Sequence, residues 1–147
     1  MNKLIRIVLM GGIIAMAALT PALAKDITVR VINIDTTRPG NIMAMVFGSE
    51  GYPIKHGKAL EIQNKKAENV EIIFRFNMTQ KSFAIKILHD EDETGKTSKN
   101  WTGIWPSEGL GFSNGAKLGL TGAPSFKNAR LDLDGIEGDI IVPIIYP

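Results

Sequence analysis

The chain has 147 residues, with 17 Lys plus Arg against 15 Asp plus Glu, two His and no Cys. Without cysteine, thiol catalysis, Cys-ligated zinc and disulfide cross-links are excluded. Lys3 and Arg6 lie in an N-terminal leader, and removing them leaves 15 basic against 15 acidic residues. No net charge then draws the mature chain to nucleic acid or to an anionic membrane.

The leader has the layout of a secretory signal peptide. Lys3 and Arg6 make its positive start, residues 7–19 its apolar run, and Ala22-Leu23-Ala24 the small residues read by a signal peptidase. The apolar run is short for a membrane span of about 20 residues. Cleavage after Ala24 is expected, leaving residues 25–147 as one domain, periplasmic or secreted, with no transmembrane segment. No cysteine borders the cleavage site, which excludes a lipid anchor there.

Residues 26–35 (DITVRVINID) set Ile27, Val29 and Val31 against Thr28 and Arg30, the period of two of a half-buried strand. Pro39-Gly40 presets a turn. Residues 41–47 (NIMAMVF) are apolar on both faces and predict a central strand covered on both sides. Residues 48–57 hold Gly48, Gly51, Pro53 and Gly57 and read as loop, with Tyr52 and Ile54 pinning it to the domain and His56 at the surface. Residues 58–64 alternate weakly, with Leu60 and Ile62 inward. Residues 69–77 place Val70, Ile72, Phe74 and Phe76 on one face; residues 82–88 place Phe83, Ile85 and Ile87 inward. The tight connection between these two runs predicts a hairpin. Residues 128–134 set Ala129, Leu131 and Leu133 against charges. Residues 139–146 close the chain, and Pro143, which lacks an N–H, makes that strand an edge or a bulge. Seven short strands with no long helical stripe and no repeat predict an all-β, antiparallel β-sandwich of immunoglobulin or transthyretin type.

One segment breaks the strand pattern. Residues 89–126 carry both tryptophans and run for nearly forty positions without clear periodicity. Such loops are functional or disordered, and the anchors Trp101, Ile104, Trp105, Leu110, Phe112, Leu118, Leu120 and Phe126 predict one that folds back and packs. Its first part has spacing suited to Ca²⁺. Asp90, Asp92 and Thr94 fill positions one, three and five, Gly95 the sixth, Lys96 offers a carbonyl, and Ser98 stands ninth. Trp101 holds the twelfth position, where a bidentate Glu is usual, so Glu108 or Glu91 must substitute. The same residues also suit a solvated acidic turn. Trp101, Trp105 and Phe112 suit either an aromatic face for a ligand or an apolar cover over the end of the sandwich. The glycines of residues 109–115 suggest consecutive tight turns. No Gly-x-Ser-x-Gly elbow accompanies His89, and no P-loop lysine follows the glycines.

The runs HDEDETGK, NWTGIWPSEGLGFSNGA and GAPSF followed by NA resemble the exported bacterial family known as domain of unknown function 2141. His89, Asp90, Gly95, Asn100, Gly103, Ile104, Pro106, Glu108, Gly111, Phe112, Ser113, Asn114, Pro124 and Phe126 fall on its motif positions, and Gly51-Tyr52-Pro53 on an upstream segment. Ser98 stands where that family usually has an acidic residue, and Trp105 interrupts its Ile-Pro. The resemblance implies an exported all-β domain and no particular reaction. The expected function is therefore a non-enzymatic exported module that binds a ligand or an envelope protein through residues 89–126. His89, Trp101, Trp105, Glu108, Phe112 and Asn114 would line its site, with Ca²⁺ as a structural ion at Asp90, Asp92, Thr94, Lys96 and Ser98. The alternative is a hydrolase or carbohydrate-acting enzyme in which His89, Asp90 and Glu108 converge.

Overall fold

Alternation along the strands decides the architecture. In the computed structural model, which describes residues 23–147, β1 (Lys25–Ile32), β4 (Ile72–Met78) and β8 (Ile140–Pro143) form one sheet in the order β4-β1-β8. β2 (Asn41–Phe47), β3 (Glu61–Lys66), β5 (Ser82–Asp90) and β6 (Leu110–Phe112) form the other, in the order β3-β2-β5-β6. A two-residue strand, β7 (Leu131–Asp132), pairs with the start of β5. All pairings are antiparallel except β1 with β8. The predicted signal peptide lies almost wholly outside the described residues. Among those described, no helix is long and apolar enough to cross a membrane.

The facing sides of the two sheets bury one core. Val29 and Val31 of β1, Phe74 and Phe76 of β4, Ile42 and Val46 of β2, and Ile85 and Ile87 of β5 all belong to it. The core therefore accounts for the period of two in each strand. A second cluster lies on the outer face of the larger sheet, where Met43, Met45, Phe47 and Leu88 meet Leu110 and Phe112, with Tyr52 and Leu118 packed alongside. β2 is thus covered on both faces, as its unbroken apolar run requires.

Several expectations do not hold. β4 and β5 do not form a hairpin: β4 pairs with β1 and β5 with β2. Both strands send their large side chains into the same core, so they face each other across the sandwich, and residues 79–81 arch from one sheet to the other. Leu60, just before β3, and Ile62, on β3 at the sheet edge, are 54% and 41% exposed. Val70 precedes β4 and is exposed. Residues 128–134 are mostly not strand: Ser125 caps a single helical turn, α1 (Phe126–Ala129), by accepting from the Asn128 N–H. Pro143 does sit at an edge. β8 is the outer strand of its sheet, and the chain then crosses over, with Leu110 and Ile145 exchanging backbone hydrogen bonds.

The glycines at 109 and 111 serve close approach, not turns. A Cβ on Gly109 would lie 2.4 Å from the Tyr146 ring, and one on Gly111 would lie 2.7 Å from the Pro143 carbonyl oxygen. β6 can therefore slide beneath the C-terminal segment. The left-handed residues of this run are Asn114 and Gly115, at φ 55° and 64°.

Candidate functional site

The loop after β5 divides into an acidic turn and a cavity wall. In the turn, Asp90 is buried and accepts from the Thr94 N–H at 3.0 Å and the Gly95 N–H at 2.9 Å. Asp92 is exposed and accepts from the Thr94 hydroxyl at 2.7 Å and the Ser98 hydroxyl at 2.6 Å. Those hydroxyls, Ser98 first, draw the Asp92 carboxyl down to about 2. Glu108 enters from the far side of the loop, buried, and accepts from the Glu91 N–H at 3.0 Å and the Ser98 N–H at 2.7 Å. Burial pushes its carboxyl upward, with Asp92 and Asp90 adding to the rise.

Asp90, Asp92 and Glu108 each place one carboxylate oxygen within 4.8 Å of the others. Among the described residues none of the three is ion-paired. Unpaired carboxylates so close repel one another, and a hard cation that takes oxygen ligands relieves that repulsion. Glu108 thus brings a third carboxylate to Asp90 and Asp92 from outside the acidic run. Thr94 and the Lys96 carbonyl are tied to the same turn through a 3.2 Å hydrogen bond, and Ser98 through Asp92.

His89 does not join this group. Alternation sends Asp90 to the outer face of β5 and His89 inward, where it is fully buried. Its Nε2 lies 3.0 Å from the Pro39 carbonyl oxygen and its Nδ1 lies 2.7 Å from the Tyr146 hydroxyl. With a proton on Nε2 the ring donates to the Pro39 carbonyl, and Nδ1 accepts from the Tyr146 hydroxyl. The catalytic grouping of His89, Asp90 and Glu108 is therefore not assembled: the carboxylates meet, and the imidazole is sealed in the sandwich.

Of the aromatic residues, Trp101 is 97% exposed, so it neither caps the sandwich nor packs in the loop. Ile104 and Leu120 are likewise exposed, at 72% and 98%. Ile54, expected to pin its loop, is 76% exposed, whereas Tyr52 packs edge-on against Phe47 and Phe126. Phe112 is buried in the outer cluster. Asn114 is at the surface and donates to the Asn128 carbonyl at 3.1 Å, holding the left-handed turn against α1.

Trp105 and Phe112 share a cavity of about 660 Å³ between the outer face of the larger sheet and the loop. Its walls are mostly apolar, with Pro106, Leu110 and Leu118 among the lining residues. Two residues there were not expected from the sequence. Lys86, on β5, is only 4% exposed and donates to the Pro53 carbonyl at 3.1 Å, His56 Nε2 at 2.9 Å and the Thr97 hydroxyl at 2.8 Å. Burial pushes its ammonium down to about 8, against a weaker opposing pull from Glu108. His56 is half-buried. Its Nδ1 donates to the Gly95 carbonyl at 2.8 Å, which leaves Nε2 free to accept from Lys86. Burial lowers its pKa as well.

Gly95 joins the two parts of the site. Its N–H goes to Asp90 in the acidic turn, and its carbonyl goes to His56 at the cavity. A family model described as "Uncharacterized protein conserved in bacteria (DUF2141)" matches residues 29–140. Comparison with curated proteins and with solved structures gave no match. The matched span exceeds half the chain and takes in the acidic turn, the cavity walls and strands of both sheets, and the chain accordingly belongs to the DUF2141 family.

Proposed function

We propose that this protein is an exported, non-enzymatic β-sandwich module, periplasmic or secreted, that holds a small ligand in the cavity under residues 89–126. Ca²⁺ in the acidic turn is the structural ion that stiffens one wall. The observation that carries the ligand reading is the cavity itself, at about 660 Å³. Small-molecule pockets are concave, mostly apolar and roughly 300–1,000 Å³, with a few polar groups that fix orientation. The calcium reading rests on the triangle of Asp90, Asp92 and Glu108, to which Thr94 and the Lys96 carbonyl can add oxygens, with Ser98 holding Asp92 in place. The bond from Gly95 to His56 ties that turn to the cavity.

Thermal unfolding in EDTA and in about 5 mM Ca²⁺ tests the ion. With a dissociation constant of about 0.1–1 mM, as in extracellular modules, the folded state gains about 1–2 kcal/mol. That raises the midpoint by roughly 3–8 °C for a domain of this size. The shift should vanish when Asp90→Ala and Asp92→Ala are combined. An unchanged midpoint in the wild type removes calcium from the account. A neutral solvatochromic naphthalene dye tests the cavity. Saturable binding that weakens in Ile104→Asp and Leu120→Asp, two exposed rim positions, supports it; non-saturable partitioning contradicts it.

A further inference from the structure

The cavity's charges are of one sign. Its lining includes Lys86 at the floor, the exposed Lys96 and Lys99, and His56 beside Lys86, and no Asp or Glu. Lys86 is a buried cation whose three protons go to neutral oxygen and nitrogen atoms. Among the described residues it has no ion-pair partner. A buried charge is normally paired, because desolvation is costly without a counter-ion. Around it the walls are apolar, and Ile54, Ile104, Trp105 and Leu120 bring exposed apolar surface to the mouth.

Thr97 supplies the remaining polar feature. Its hydroxyl oxygen accepts from Lys86 and, among the described residues, donates to none. Its proton is therefore available to an acceptor inside the cavity, with the Lys86 charge directly behind it. A carboxylate placed there receives a hydrogen bond that the ammonium strengthens, since bonds to ionised groups are roughly twice as strong as neutral ones.

We propose that the cavity takes a single-tailed amphiphile, with its apolar body against Trp105, Leu110, Phe112 and Leu118 and its anionic head at Thr97 and Lys86. This deepens the ligand reading above and rests on it. Lys96 and Lys99 attract the head from the mouth. The occupant is a free small molecule of the medium-chain carboxylate class, not a bilayer, because the cationic floor lies behind the loop and not on an exposed face.

The test uses intrinsic fluorescence in a Trp101→Phe background. Trp101 lies outside the cavity, so Trp105 alone then reports. Decanoate, decanol and decyltrimethylammonium are titrated below their aggregation limits, and anionic phospholipid vesicles are added in a separate arm. Decanoate should bind at least tenfold more tightly than decanol, and the ammonium amphiphile should bind weakest. Lys86→Gln should bring decanoate to within about threefold of decanol and leave decanol unchanged. Thr97→Val, at a half-buried wall position, should weaken decanoate alone by about fivefold and serves if Lys86→Gln does not fold. Equal affinity for decanoate and decanol overturns the anionic head and leaves the cavity reading standing. Binding of none of the three overturns both. Binding to vesicles in place of free decanoate overturns the choice of a free molecule.

Discussion

Lys86 carries a charge that folding makes harder to keep, and this has a measurable consequence. Its pKa falls from the ordinary 10.5 to about 8 on folding, with burial as the main cause. Over the intervening pH range the unfolded chain binds a proton that the folded chain has released, so stability must rise with pH there. Between about pH 7 and about pH 9.5, the two pKa values give a gain of about 2 kcal/mol. That corresponds to roughly 7 °C in the midpoint for a domain of this length. Below the folded value both states are protonated and the slope disappears. The measurement stops near pH 9.5 because burial raises the pKa of Tyr52 and Tyr146. A tyrosine with a raised folded pKa loses stability above about pH 10, the opposite sign. Urea unfolding at several pH values should show the gain in the wild type and a flat line in Lys86→Met. His56, which accepts from Lys86, has its pKa lowered by burial to below this pH window, so its own titration adds no slope there. Equal slopes in the two proteins would refute the claim that Lys86 is buried as a cation.

Three further substitutions test the packing. Ser113 is fully buried; its hydroxyl donates to the Ala129 carbonyl at 2.6 Å and accepts from the Ile85 N–H at 2.8 Å. Ser113→Ala strands both groups and should cost about 1–3 kcal/mol in urea unfolding. Gly111→Ala puts a Cβ against the Pro143 carbonyl, and the strain should cost about 1–3 kcal/mol and loosen the C-terminal segment, seen as faster amide exchange at Ile145. Trp101→Ala, at an exposed position, should change stability by less than about 0.5 kcal/mol; a large loss would mean that the side chain packs after all.

Periodicity made the sandwich legible. Val29, Val31, Phe74, Phe76, Ile85 and Ile87 alternate in sequence and meet in one core. Partnership between strands was less legible. A short link such as 79–81 serves a hairpin or an arch between sheets equally well, and the choice depends on which face each strand buries. The carboxylate cluster was partly visible as the Asp90, Asp92, Thr94 and Gly95 spacing, and Glu108 completes it from eighteen residues beyond Asp90. The cavity and its cationic floor were missed because the strand SFAIKIL suggests one buried face and one wet face. The signal was present in the neighbours of Lys86: Ala84 and Leu88 share its face, and Met43 and Met45 lie on the adjoining strand. A face so apolar needs a cover, and the cover is residues 89–126. His89 misled for the converse reason. It adjoins the acidic run in sequence, and adjacent residues of a strand point to opposite faces.

Amide chemical-shift mapping of the ¹⁵N-labelled protein, titrated with decanol and decanoate, tests the placement of function most directly. Shifts confined to Lys86, Thr97, Trp105, Phe112 and Leu118, with the far sheet at Thr28 and Arg75 unmoved, are the result predicted. Shifts centred on β8 or the Trp101 tip, or no shifts with either compound, would contradict the cavity as the functional site.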